Sequence, residues 1–216
     1  MNKEYLKTFC FIIFIKILII NDLDAQSRFR GGVVAGFNAA QLDGDAAAGY
    51  HKVGLNTGLR VLIELGGRLE LSTEILYSQR GSRTTENESP ITRSCTLNYL
   101  EVPVLLNIRD WKKAGSDGVE FYKASFSAGV SYGRLFKATS SRNFTHAAVL
   151  DKFSTNDVSF MAGINYNANR HWGFSMRIAK SMARLFNYEK YINEPLAGGL
   201  PNLKGHYLTF QTAWIF

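Results

Sequence analysis

The sequence predicts an all-β fold, an eight-stranded antiparallel transmembrane β-barrel with short periplasmic turns and longer extracellular loops. Three observations carry the prediction. Apolar and polar residues alternate with a period of two along eight stretches of the chain. Long polar connections alternate with short turns, as they do between the strands of outer-membrane barrels. The last stretch runs to Phe216 and sets Leu208, Phe210, Trp214 and Phe216 on one face. Lipid satisfies no backbone N–H or C=O, so a membrane sheet has to close on itself, and a strand reaching the end of the sequence suits that.

The N-terminal segment comes first. Lys3 and Lys7 precede an apolar run from Phe9 to Ile20 that only Lys16 interrupts. Asp22-Leu23-Asp24-Ala25 then offers a small residue before a cut at Gln26. The run falls short of the ~20 apolar residues of a spanning helix. Residues 1–25 therefore read as a signal peptide, and residues 26–216 as one outer-membrane β-barrel domain. The cut removes Lys3, Lys7 and Lys16 together with Glu4, Asp22 and Asp24, which leaves the formal net charge of +7 unchanged. Of two cysteines, Cys10 lies in the signal and Cys95 stands alone, so no disulfide framework is available.

The strands follow in order. Residues 32–41 carry Val33, Ala35, Phe37 and Ala39 on one face. In 53–65, Leu55, Leu59, Val61 and Ile63 oppose Asn56, Gly58, Arg60 and Glu64, and Gly66-Gly67 signals a tight turn. In 68–80, Leu69, Leu71, Ile75 and Tyr77 oppose Arg68, Glu70, Ser72 and Glu74. Residues 97–109 set Leu100, Val102, Val104 and Ile108 against Tyr99, Glu101, Pro103 and Asn107. Residues 119–136 set Tyr122, Phe126, Val130 and Tyr132 against Lys123, Ser127 and Ser131. The remaining strands are 158–168, 171–186 with Arg177 on its polar face, and 206–216. Pro103 cannot donate to a ladder, so a bulge or strained position is expected there.

Alternation alone also fits a soluble barrel or sandwich with its apolar face inward. The polar face favours the membrane barrel. It mixes small residues with opposite charges, as a narrow lumen requires. Arg60, Glu64, Arg68, Glu70, Glu74, Glu101 and Arg177 are the expected lumen ion-pair residues. Leu208, Phe210, Trp214 and Phe216 are the expected assembly signal. No mature segment is a long charge-free apolar run, which excludes a helical membrane protein. The basic residues are scattered rather than clustered, which argues against a nucleic-acid partner.

The chain resembles the small PorT-like outer-membrane β-barrel family common in Bacteroidota. The resemblance rests on Gly32-Val33-Val34-Ala35-Gly36-Phe37-Asn38, Leu42-Asp43-Gly44-Asp45, Tyr99-Leu100-Glu101-Val102-Pro103-Val104-Leu105-Leu106 and the final Leu208 to Phe216. It implies residence in the outer membrane, with the terminal strand read by the insertion machinery. One branch of that family serves protein secretion and gliding, and many members have no assigned role.

No catalytic residue, metal ligand or cofactor site is expected. His51, His146, His171 and His206 show no paired metal spacing, and no nucleophile-elbow or P-loop motif occurs. A Ser181–His206 pairing is the nearest approach to lipid-hydrolase chemistry. Loop residues Phe144, His146, Phe153, Tyr188, Tyr191 and Pro195 offer contact surface. The expected function is a non-enzymatic structural or binding barrel with a plugged polar lumen and loop-borne interactions. Its expected partners are outer-membrane lipids, the insertion machinery and other envelope proteins. The alternatives are an accessory part of a secretion apparatus and a lipid-modifying enzyme.

Overall fold

The computed structural model describes residues 28–45, 49–84, 93–115, 118–141, 144, 146–191, 193 and 201–216, apart from the side chain of Tyr188. The expected signal peptide and Pro195 lie outside the described residues. Eight strands form one closed antiparallel barrel: β1 (Phe29–Asp43), β2 (Lys52–Gly66), β3 (Leu69–Arg83), β4 (Ser94–Ala114), β5 (Glu120–Ser140), β6 (Asn156–Asn167), β7 (Trp172–Ser181) and β8 (Lys204–Ile215). Each pairs with its sequence neighbour. β8 closes on β1 from Gly32↔Ile215 to Asp43↔Lys204. The shortest strand has 10 residues, enough for the ~9–11 a tilted strand needs to cross a bilayer.

The alternation orders the wall. Leu55, Leu59, Ile75, Phe126, Phe160, Ile164 and Ile178 stand exposed on the outside. So large a continuous apolar surface suits hydrocarbon and not water. Their sequence neighbours, including Asn56, Arg60, Glu74, Ser127, Ser159 and Arg177, are buried inside. The short connections gather with both ends of the sheet, and this is the periplasmic end.

Several details depart from the sequence expectation. β3 begins at Leu69, because Gly66 and Gly67 both adopt positive φ (108° and 57°) and the register shifts between Glu64 and Gly66. Arg68 therefore sits on the turn rather than in the lumen. Its side chain is 67% exposed and meets Asp110 at 3.3 Å. β7 stops at Ser181, and Phe186 instead makes a single bridge with Leu203. Pro103 creates no bulge. The β3–β4 ladder lapses opposite Glu74 and Ile75 without losing register, and the irregularity of β4 falls at Asn98/Tyr99. At the periplasmic end Trp111 has φ 59°, and the alternation fails beside it. Lys123 turns to the Trp111 and Tyr166 rings (4.9 and 5.4 Å), while Tyr122 covers Arg109 at 4.7 Å.

Candidate functional site

Three polar layers line the lumen, each built from inward positions of several strands. In the middle, Arg60 on β2 and Glu74 on β3 are register partners, and the Arg60 Nε donates to Glu74 Oε1 at 2.6 Å. Arg177 crosses from β7 and grips both oxygens of the same carboxylate at 3.0 and 2.9 Å. Gln211 on β8 ties the cluster to Asn56 at 2.7 Å and accepts from Arg60 at 2.9 Å. A forked guanidinium against a carboxylate is the strongest polar contact such a space can hold. One carboxylate thus serves two arginines, which leaves this layer with one surplus positive charge.

Toward the long loops, Arg80 lies 2.6 Å from Glu101 and 2.8 Å from Asp157. The Tyr99 and Tyr207 rings flank its guanidinium at 4.7 and 4.0 Å. Tyr207 also donates to Glu101 at 2.6 Å. The aromatic faces hold the cation where few water molecules fit. Toward the turns, Arg30 meets Glu70 at 2.7 Å and Glu64 at 3.3 Å, while Arg109 meets Glu64 at 2.8 Å. Asn107 donates to Glu70 at 3.1 Å.

Of the residues expected in the lumen from sequence, Arg60, Glu64, Glu70, Glu74, Glu101 and Arg177 occupy these layers, and Arg68 does not. Arg30, Arg80, Arg109 and Asp157 pair in the lumen and are absent from that set. Arg80 and Arg109 lie at the ends of the expected strands 68–80 and 97–109, Arg30 precedes the expected first strand and Asp157 precedes the expected strand 158–168, but all four have the inward parity of their strands. That parity was the available signal.

Above the Arg80 layer the long loops fold back and close the extracellular mouth. Leu42, Leu97, Phe144, Val149, Phe153, Leu185, Phe186 and Leu203 form a buried apolar cap, with Cys95 inside it. His146 is buried among Phe144, Phe153 and Phe186, with ring centroids 5.8, 6.3 and 5.1 Å away. Its Nε2–H donates to the Pro201 carbonyl at 2.8 Å. Burial lowers the His146 pKa, against smaller opposing effects of that hydrogen bond and of Asp45. Phe144, His146 and Phe153, expected as outward contact residues, are therefore interior residues of the cap. Their apolar area is worth more to the barrel than to a partner.

Below the Glu74 layer the lumen widens into a cavity of about 410 Å³ that opens between the periplasmic turns. Its floor is Arg60, Ser72 and Arg177, and its rim includes Lys112, Glu120 and Asn169.

Ser181 and His206 do not form a catalytic pair. His206 is the register partner of Lys180 on the outer face, whereas Ser181 is buried inward. Among the described residues no cluster of His, Cys, Asp or Glu could hold a metal ion. On β8, Phe210 stacks on Phe37 at 5.2 Å, and Trp214 packs on Trp172 at 4.8 Å and on His171 at 5.2 Å. The Phe216 N–H donates to the Gly31 carbonyl at 2.8 Å, and its ring is exposed beside β1.

Comparison with known proteins gives a matching family model, described as "Outer membrane protein beta-barrel domain", over residues 24–187. No curated protein sequence matches. Among solved structures the chain is similar to Ail, the attachment invasion locus protein of Yersinia pestis, with TM-score 0.48 and 12% identity over 88% of this chain and 99% of that one. It is also similar to Neisserial surface protein A, with TM-score 0.44 and 10% identity over 87% and 97%. A third is outer membrane protein W of E. coli, with TM-score 0.38 and 12% identity over 88% and 98%.

Proposed function

Because the chain belongs to the outer membrane protein β-barrel domain family and resides in the cell outer membrane, we propose that it acts there as a non-enzymatic structural or binding component, closed to solutes. One observation carries this reading: the ion-paired layers and the apolar cap block the lumen in series. A porin needs a water-filled path, and eight strands leave little room beyond their own side chains. Lipids contact the apolar outer band. Leu208, Phe210 and Trp214 on β8, with Thr212 as the one polar gap, and Phe216 just beyond its end serve as the assembly signal for the insertion machinery. The resemblance to PorT-like barrels makes an export apparatus the partner class to test. Co-purification with such a complex would support it, and intact secretion in a deletion strain would count against it.

Reconstitution into a planar bilayer tests the main reading. The expected record shows no stepwise conductance at moderate voltage. Reproducible open-channel steps, or altered lipid A or phospholipid mass spectra in a deletion strain, would overturn it.

A further inference from the structure

We propose that the periplasmic cavity is a binding site for a small organic carboxylate, entering from the turn end and docking on Arg177 and Arg60. The site rests on the closed-barrel reading for its blind floor and on three further observations. Its volume of about 410 Å³ lies within the ~300–1,000 Å³ of small-molecule pockets. Its charges do not balance. At the mouth Arg30 and Arg109 are matched by Glu64 and Glu70, and Lys112 by Glu120. On the floor Arg60 and Arg177 share only Glu74. The layer above carries the opposite imbalance, with Glu101 and Asp157 both on Arg80. The lumen as a whole is therefore neutral, and the positive surplus is local to the floor, where it faces the cavity and favours an anion.

The third observation is a set of buried polar atoms with no protein partner. Arg177 Nε and Arg109 Nε are donors of this kind, and Asn107 Oδ1 and Asn165 Oδ1 are acceptors. All four residues line the cavity. Buried polar groups are ordinarily satisfied, so a cavity holding both kinds selects a ligand with an anionic end and N–H or O–H groups behind it. The Glu74 clasp shows how these arginines already take a carboxylate. A free carboxylic acid and the C-terminal end of a peptide share this chemistry.

The test uses the refolded full-length barrel in detergent micelles with ¹⁵N-labelled arginine. Arginine Nε–H resonances are followed during titration with acetyl-glycyl-glycine, with its C-terminal carboxamide and with acetate. The peptide acid is expected to shift the Arg177 resonance saturably, and the carboxamide to leave it in place. Tighter binding of the peptide acid than of acetate identifies a peptide end. Equal binding identifies a free carboxylate, and either result supports the site. Asn165→Phe fills the cavity without touching an ion pair and should abolish the shift. Arg177→Gln, if it folds, should abolish the accompanying saturable shift of the Arg60 Nε–H resonance. Absence of a saturable shift, an equal shift with the carboxamide, or a shift that survives Asn165→Phe would overturn the proposal. Failure of the barrel itself reads differently, as loss of heat-modifiable migration in the same sample.

Discussion

Glu74 stands between two guanidinium groups, and its side chain is 1% exposed. Glu74→Gln keeps the shape but leaves Arg60 and Arg177 without a counter-charge. Removing one partner of a buried ion pair costs about 3–5 kcal/mol. Urea unfolding in lipid vesicles should show a loss of that order. Arg68→Gln removes an exposed pair on a turn and should stay within about 0.5 kcal/mol of the parent in the same assay. Leu59 tests the other face of the wall. It is exposed on the outer band, so Leu59→Arg places a charge in hydrocarbon and should cost about 2–4 kcal/mol. A near-neutral result would mean that this face does not meet lipid. At this scale the sequence was legible wherever parity held. Glu74, Glu101 and Arg177 follow from period two alone. Arg68 does not, because two positive-φ glycines and a register shift precede it, and neither is visible in a hydrophobic pattern.

The elements were legible in number and order, and less so at their ends. β4 and β5 pair from Cys95↔Ser140 to Ala114↔Glu120, which carries β4 beyond its expected stretch at both ends and β5 beyond its expected end at Phe136. Backbone pairing continues there after the apolar alternation has faded. The cap was not legible. Its residues come from four separate connections and strand ends, and no local pattern joins Leu42 to Phe144, Phe186 and Leu203. Two predictions belong to elements. Deleting Phe216 removes the N–H bond to Gly31 and the last outer aromatic, and should lower outer-membrane levels. Normal levels with normal heat-modifiable migration would contradict this. The second concerns His146. Its pKa in the closed cap lies below the ordinary 6.5. Above pH 6.5 the ring is neutral whether the cap is open or closed, and closure is fully favoured. As pH falls below 6.5 the opened cap takes up the proton first, so closure weakens until the closed form titrates as well. The protection factor of the Val149 amide, which is bonded to the His146 carbonyl, should fall in that window once the intrinsic pH dependence of exchange is divided out. His146→Phe should make the protection factor independent of pH there.

For the whole molecule the layers give a simple electrostatic account. Arg30, Arg60, Arg80, Arg109 and Arg177 meet Glu64, Glu70, Glu74, Glu101 and Asp157 inside the wall, so the lumen adds nothing to the net charge of +7. Among the described residues Arg68, Lys112, Lys180 and Arg184 are exposed, where water and polar headgroups screen them.

The pairing of Gly32 with Ile215 also sets a clock. A ribosome has made seven strands before the partner that β1 needs exists. Until β8 arrives, β1 and β7 each present an unsatisfied edge. Joining two segments so far apart in sequence is entropically slow compared with forming the seven hairpins between neighbours. An escort that shields those edges in transit, and a site that brings the first and last strands together, are therefore conditions for this chain to arrive in one piece.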